Sequence, residues 1–176
     1  MTVAAWVDDE PLPAEEIDAR LARLRSLDRA HSLPDAHTRE GRQLRRWVAQ
    51  VAVVERLCEN EIGGRQVAPI GVSARSDAAA LGSIVAAAWA NNATVPQAAN
   101  LVTGDVTLSH RQREQAARLA ATEDGATAWT MEQLLLSARL EAFARWLARA
   151  THERVRLAEG YEHPGDASQP DNLHEH

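Results

Sequence analysis

Residues 130–157, TMEQLLLSARLEAFARWLARATHERVRL, decide the fold of this chain. Apolar side chains recur there at steps of three and four residues, the spacing that places them on one face of a helix. They are Met131, Leu134, Leu135, Ala138, Ala142, Trp146 and Ala150. Thr130 followed by Gln133 matches a capping box, in which the two side chains satisfy backbone groups of the first helical turn. The stretch therefore predicts a long helix that starts at Thr130 and offers one broad apolar face.

Strand-like segments lie at both ends of the chain. Residues 154–157 alternate in the manner of a strand directly after the long helix, and VAAWV at 3–7 ends at the turn-forming pair Asp8 and Asp9. A two-stranded ribbon is only marginally stable alone. We therefore expect these two segments to pair with each other and to lie against the helices.

The segments between the two strands have helical patterns. Pro13 suits the first turn of a helix that carries Ile17, Leu21 and Leu24 on one face. Further helices are expected from Thr38 to the break at Gly63, after Asp77, between Val95 and Asp105, and from the capping box of Ser109 and Gln112 onward. The predicted class is mainly α, with one helical domain of about five to six helices and a two-stranded ribbon over residues 1–158. A tail rich in Pro, His and Asp follows over 159–176.

Composition excludes several function classes. The 176 residues fit one domain, and the formal net charge of -6 argues against a nucleic-acid binder, which needs a basic face. No apolar run approaches the roughly 18 residues that span a bilayer. The first residues turn acidic too early for a secretory signal, so a cytoplasmic location is expected. Cys58 falls within an apolar helical pattern and is predicted to be a buried, inert thiol.

The five tryptophans outnumber the other aromatic residues. Trp47, Trp89 and Trp146, with Arg46 beside the first of them, are candidates for the wall of a pocket that takes a flat, hydrophobic ligand. The alternative is that the tryptophans fill the core between helices. The sequence leaves both interpretations open.

The C-terminal tail holds five potential ligands for a divalent metal: His163, Asp166, Asp171, His174 and His176. Imidazole and carboxylate groups suit zinc or a related ion, although the spacing matches no standard zinc motif. The alternative is a polar tail that lies on the surface, and Tyr161 would be its anchor if it is ordered. No other cofactor is indicated.

Glu55 is the candidate acid or base outside the tail. With Arg46 and Glu59, it lies near the Trp47 face of the second helix and could form an acid/base pair if a pocket opens there. In the tail, His163 and Asp166 are the candidate catalytic residues. His31 and His37 bracket a loop that could cover such a pocket. A solvated helix flank is the alternative for Glu55.

The order of these segments resembles the chaperone portion of SurA- and PpiC-type proteins. The resemblance rests on an N-terminal V-A-x-V-[N/D] strand, a helix of ARLARLR type, a second helix ending in VERL, and a final helix followed by V-x-L. The residues that carry it are Val3, Val7, Asp8, Arg56, Leu57, Phe143, Trp146, Leu147 and Val155. The family turn is usually Asn-Gly where this chain has Asp8 and Asp9. The resemblance implies a helical chaperone-like cradle, without prolyl-isomerase activity because residues 64–125 hold no parvulin pattern.

The tail resembles the ending of a group of actinobacterial proteins labelled malonyl-CoA:ACP transacylase. That activity uses a serine on a G-x-S-x-G elbow, and the sequence contains none. The sequence therefore leaves two functions open. The first is an accessory or chaperone-like protein that holds a peptide, a partner protein or a hydrophobic small molecule, with homodimer formation open. The second is a small enzyme of actinobacterial specialised metabolism, such as a cyclase, hydrolase or isomerase.

Overall fold

A computed structural model describes residues 2–27, 32–71, 81–120 and 127–166, excepting the side chains of 119, 120 and 127–130. The described residues form six helices and three short strands, so the predicted mainly α class is confirmed. The strands are β1 (Val3–Val7), β2 (Glu10–Pro13) and β3 (Val155–Leu157). The helices are α1 (Ala14–Arg25), α2 (Arg39–Ile62), α3 (Ser83–Asn91), α4 (Thr94–Val102), α5 (His110–Ala120) and α6 (Thr127–Arg154).

The sheet brings the two ends of the chain together, as predicted. Its order is β2-β1-β3, and β1 pairs antiparallel with β3 in a register that sets Ala5 opposite Leu157 and Val7 opposite Val155. One face of β1 is buried through Ala5 and Val7, while Trp6 is only half-buried. The terminal strands therefore contribute one apolar face to the core.

The sheet has one strand more than the predicted two-stranded ribbon, because β2 adds a third strand. Asp8 and Asp9 adopt positive φ values of 52° and 64°, which is the backbone of a two-residue hairpin turn. The sequence EPLP concealed this strand because prolines cannot donate to a ladder and usually argue against a strand. Here β2 is an edge strand, so Pro11 and Pro13 are tolerated.

Most predicted helix positions are confirmed, including the helix after Pro13 and the one that ends before Gly63. The capping box at Ser109 is formed, since the backbone N–H of Gln112 donates to Ser109 Oγ and the side-chain Oε1 of Gln112 accepts from the backbone N–H of Ser109. The long helix begins at Thr127, so the prediction that Thr130 caps it is wrong. The start predicted near Asp77 lies outside the described residues.

The buried face of α6 differs from the predicted one. The buried side chains are Leu140, Phe143, Leu147 and Ala150, whereas the other residues of the predicted stripe are half-buried. Burial is thus concentrated in the second half of the helix. The periodicity was too broad to choose between neighbouring faces, because Leu, Ala and Phe occupy nearly every side of this segment.

The chain divides into two compact units. Unit 1 comprises residues 1–57 and 150–176, and its fully buried core includes Val7, Leu12, Ile17 and Leu57. Unit 2 comprises residues 58–149, and its core includes Cys58, Val95 and Phe143, which places the thiol where it was predicted. The single domain over 1–158 stays a prediction. None of the helices in the described ranges has the length and hydropathy needed to cross a membrane.

Candidate functional site

A groove of about 500 Å³ opens within unit 1 beside the end of α1 and the start of α2. We call it the α1–α2 groove. It is lined by Asp18, Leu21, Ala22, Arg25, Ser26, Ala36, Gly41 and Arg45. Leu21, Ala22 and Ala36 contribute apolar groups to the lining, which we call the apolar strip, and Arg25, Arg45 and Asp18 contribute charged groups, which we call the charged rim.

One wall of the groove depends on a close backbone approach at Gly41. A Cβ atom at this position would fall on the Asp35 carbonyl oxygen and lie 2.8 Å from the carbonyl carbon. Thr38 holds the same loop, because its hydroxyl donates to the Asp35 oxygen at 2.8 Å and accepts from the Gly41 N–H at 3.1 Å. Only glycine lets the loop pack this tightly on the first turn of α2.

Arg45 connects the groove to the C-terminal segment. Its guanidinium lies 2.9 Å from an Asp18 carboxylate oxygen, and Nη2 donates to the Tyr161 hydroxyl at 2.6 Å. The same guanidinium lies 5.2 Å from the centre of the Tyr161 ring, within cation–π range. Any anion that enters the groove therefore meets an arginine that is already oriented.

Tyr161 anchors the segment after β3 against α2. Its side chain is buried, and its carbonyl accepts a hydrogen bond from Gln50 Nε2 at 3.1 Å. Arg46 Nε donates to the Gly160 carbonyl at 3.4 Å. These contacts hold Gly160 and Tyr161 against α2, and the anchoring of the whole tail by Tyr161 stays a prediction because residues 167–176 lie outside the described residues.

The predicted acid or base Glu55 is held in an ion pair instead of lining the groove. Arg20 Nη1 donates to Glu55 Oε2 at 2.5 Å, and Arg20 Nη2 donates to Glu16 Oε1 at 2.9 Å. Burial lowers the pKa of Arg20, but hydrogen bonds and charges from Glu55 and Glu16 outweigh it and raise that pKa above its ordinary value. This arrangement links α1 to α2. A catalytic role for Glu55 stays a prediction.

His163 and Asp166 lie together in one turn after Tyr161. The Asp166 N–H donates to the His163 carbonyl at 2.9 Å, and His163 Nδ1 accepts from the Gly165 N–H at 3.0 Å. Asp171, His174 and His176, the other predicted metal ligands, lie outside the described residues, as does His31. Within the described ranges no three His, Cys, Asp or Glu residues are grouped to hold a metal. His37 is exposed on the loop before α2.

Two of the predicted pocket tryptophans belong to one aromatic cluster in unit 2. Trp89 meets Phe143 edge to face at 5.9 Å between ring centres, and Phe143 stacks on Trp146 at 5.7 Å. Trp89 is buried and Trp146 half-buried. Trp47, in unit 1, is half-buried and does not line the α1–α2 groove. A ligand-binding role for these tryptophans and Arg46 stays a prediction.

Sequence reasoning missed the groove and its arginines, Arg25 and Arg45. Only one local signal pointed to it. Gly41 lies in the first turn of a strong helical pattern, where a glycine costs roughly 1 kcal/mol relative to alanine and so suggests a close approach.

Comparison with known proteins adds one match. A family of unknown function, DUF7158, matches residues 3–40. That range includes the β1–β2 hairpin, α1 and six of the eight residues that line the α1–α2 groove. No curated protein and no solved structure matches the chain.

Proposed function

We propose that this protein is a chaperone-like accessory protein that holds an extended segment of another protein in the α1–α2 groove. The observation that carries the proposal is the groove itself. Its volume of about 500 Å³ falls within the usual range of ligand sites. Its apolar strip of Leu21, Ala22 and Ala36 can receive side chains, and its charged rim can orient a polar backbone.

The resemblance to SurA- and PpiC-type proteins supports this proposal. In that family the N-terminal and C-terminal segments fold together into a chaperone module. Here β1 lies between its hairpin partner β2 and the strand β3 that follows the last helix. Because residues 64–125 hold no parvulin pattern, the proposed activity is holding and not prolyl isomerisation.

The charges of the groove indicate the kind of segment it would take. Arg25 and Arg45 outnumber the single carboxylate of Asp18 in the lining. A peptide with apolar residues next to an acidic one would place the apolar groups on the exposed Ala22 and Ala36 and its carboxylate near the arginines. Nucleic acid is a poor candidate because the chain carries a net charge of -6.

A small enzyme of specialised metabolism is the second candidate. The observation that favours it is the turn that holds His163 and Asp166 in one short loop after the buried Tyr161. An imidazole and a carboxylate in one loop could act in acid–base chemistry or join a metal site. Deleting residues 167–176 and replacing His163 by Ala should then abolish metal binding or turnover.

The test of the first proposal is to fill the groove without disturbing the core. Ala22 is exposed and lines the groove, whereas Ala19 is exposed on the same helix and does not. The Ala22→Phe variant should weaken binding of fluorescently labelled peptides from reduced, carboxymethylated lactalbumin at least about tenfold, since its ring occupies the space that the peptide side chains would fill. Fluorescence anisotropy measures the affinity.

The Ala19→Phe variant is the matched control, because it adds the same ring to the same helix outside the groove. Its affinity should equal that of the unmodified chain. The proposal fails if no peptide of the set binds saturably, or if both phenylalanine variants bind as tightly as the original protein.

A further inference from the structure

A second groove lies in unit 2, beside the first half of α6. We call it the Arg139 groove. It has a volume of about 230 Å³ and is lined by Ile70, Gly71, Glu132, Gln133, Leu135, Leu136 and Arg139. Three apolar side chains and one guanidinium share this small space.

Arg139 is held rigidly by α4. Its Nε donates to Thr103 Oγ1 at 3.1 Å, and its Nη2 donates to the carbonyl and the side-chain oxygens of Asn100 at 3.2 Å and 2.5 Å. Thr103 is fully buried and its hydroxyl donates to the Ala99 carbonyl at 2.6 Å, so its lone pairs are directed at Arg139. The guanidinium is therefore oriented before any ligand arrives.

Ile70, another lining residue, belongs to a segment that is fixed to the same helix. The Ile70 N–H donates to the Pro96 carbonyl at 3.0 Å, and Asn100 Nδ2 donates to the Ala68 carbonyl at 2.9 Å. Asn100 thus contacts both Arg139 and the segment that carries Ile70. Pro96 and Asn100 of α4 therefore fix the segment of Ile70, and Asn100 also holds Arg139.

The Arg139 side chain keeps donors available to a ligand. Among the described residues, the hydrogen bonds of Arg139 run through Nε and Nη2, and Nη1 donates none. A guanidinium edge next to Leu135, Leu136 and Ile70 matches a carboxylate attached to a short hydrocarbon. Glu132 in the lining disfavours a second negative charge on the ligand.

We propose that the Arg139 groove binds a small monocarboxylate with a short apolar chain. The carboxylate pairs with Arg139, and the hydrocarbon contacts Ile70 and the two leucines. The site is in unit 2 and shares no lining residue with the α1–α2 groove, so it can exist whether or not peptides bind there.

The test compares butanoate with butan-1-ol, which has the same chain length but no charge. Amide ¹H–¹⁵N correlation spectra of the full-length protein should show saturable shifts for residues 70, 71 and 132–139 on addition of butanoate. The carboxylate should bind at least about tenfold more tightly than the alcohol, because a charge-assisted hydrogen bond is formed only by the former. Equal affinities, or shifts confined to other residues, would overturn the proposal.

Three variants locate the interaction. Arg139→Gln should weaken butanoate binding at least about tenfold, whereas Arg145→Gln on the same helix, an exposed arginine with only a 3.9 Å contact to Glu141, should leave it unchanged. Arg139 also has a structural role, so Glu132→Gln provides an independent check. Glu132 is exposed, and removing its charge should tighten butanoate binding severalfold. Unchanged or weaker binding by this folded variant would contradict the proposal.

Discussion

Arg154 holds Asp8 through two parallel hydrogen bonds. Its Nε donates to Oδ1 at 2.6 Å and its Nη2 donates to Oδ2 at 2.7 Å. The Asp8 N–H in turn donates to the Arg154 carbonyl at 2.9 Å. The final residue of the longest helix is thereby fixed to the hairpin turn at the start of the chain, in the bidentate geometry that makes arginine–carboxylate pairs specific.

Replacing Asp9 by glycine should stabilise unit 1. Asp9 has a φ of 64°, a left-handed conformation that costs an L-residue roughly 1–2 kcal/mol but that glycine adopts freely. Glycine also has more conformational entropy in the unfolded chain, which offsets part of this gain. We therefore expect a net increase of about 0.5–1 kcal/mol in the free energy of unfolding. Urea denaturation monitored by circular dichroism measures it.

Asp8→Gly is the matched comparison, since Asp8 has a similar φ of 52° but also carries the pair with Arg154. Loss of that pair should cancel the backbone gain, so this variant should be no more stable than the original protein. Equal stabilisation by both glycines would show that the Arg154 contact contributes nothing.

Arg20 and Glu55 should be coupled in stability. The Glu55 side chain is buried and the Arg20 side chain partly so, and we expect a double-mutant cycle with Arg20→Met and Glu55→Gln to give a coupling of about 1–3 kcal/mol. Since the folded-state pKa of Arg20 is raised, its contribution is fully present below the ordinary pKa of arginine and is lost only at still higher pH. The coupling should therefore be the same at about pH 7 and about pH 10. A fall in coupling over that range would contradict this assignment.

Gly41→Ala should destabilise the protein although it improves helix propensity. Propensity alone predicts a gain of roughly 1 kcal/mol in a helix. The added Cβ would instead meet backbone atoms of Asp35 and Ala36, which we expect to cost about 1–3 kcal/mol and to weaken peptide binding in the groove. Gly71→Ala is the control, because, apart from its chain neighbours, no described residue would have an atom within 4 Å of its Cβ. Thermal unfolding of both variants shows whether Gly41→Ala lowers or raises the stability of the protein.

Tyr161→Phe should loosen the segment after β3 with little effect on the rest of unit 1. The change removes the hydroxyl that accepts from Arg45 at 2.6 Å and keeps the ring and the Gln50 hydrogen bond to the Tyr161 carbonyl. We expect a loss of about 1 kcal/mol and faster amide hydrogen exchange over residues 158–166. Exchange at Ile17 and Leu21 should be unchanged. Uniform acceleration across unit 1 would mean that the Tyr161 contact supports the whole core.

The sequence predicted those elements whose local pattern matches their place in the fold. Alternation at Val3–Val7 and after Arg154 was enough to predict the pairing of the chain ends, and capping chemistry located the start of α5. It failed at β2, where two prolines obscured a short edge strand. It also failed at the α6 face, because an alanine- and leucine-rich helix presents apolar atoms on most sides.

The candidate site was less predictable because its geometry comes from contacts between distant residues. Glu55 was a reasonable acid or base in the sequence, but Arg20 lies 35 positions away and pairs with it. Arg45 reaches Tyr161 across 116 positions, and Arg139 reaches Asn100 across 39. Such distances between partners follow from helix packing, which periodicity alone does not specify.

The position of β1 at the centre of the sheet has a consequence for biosynthesis. One of its neighbours, β2, is made immediately after it, but the other, β3, is made only after all of unit 2. At about 5–20 residues per second, one edge of β1 stays open for on the order of ten seconds during translation. An unpaired edge can join strands of other chains. The nascent chain is therefore expected to need protection from such pairing until β3 has left the ribosome.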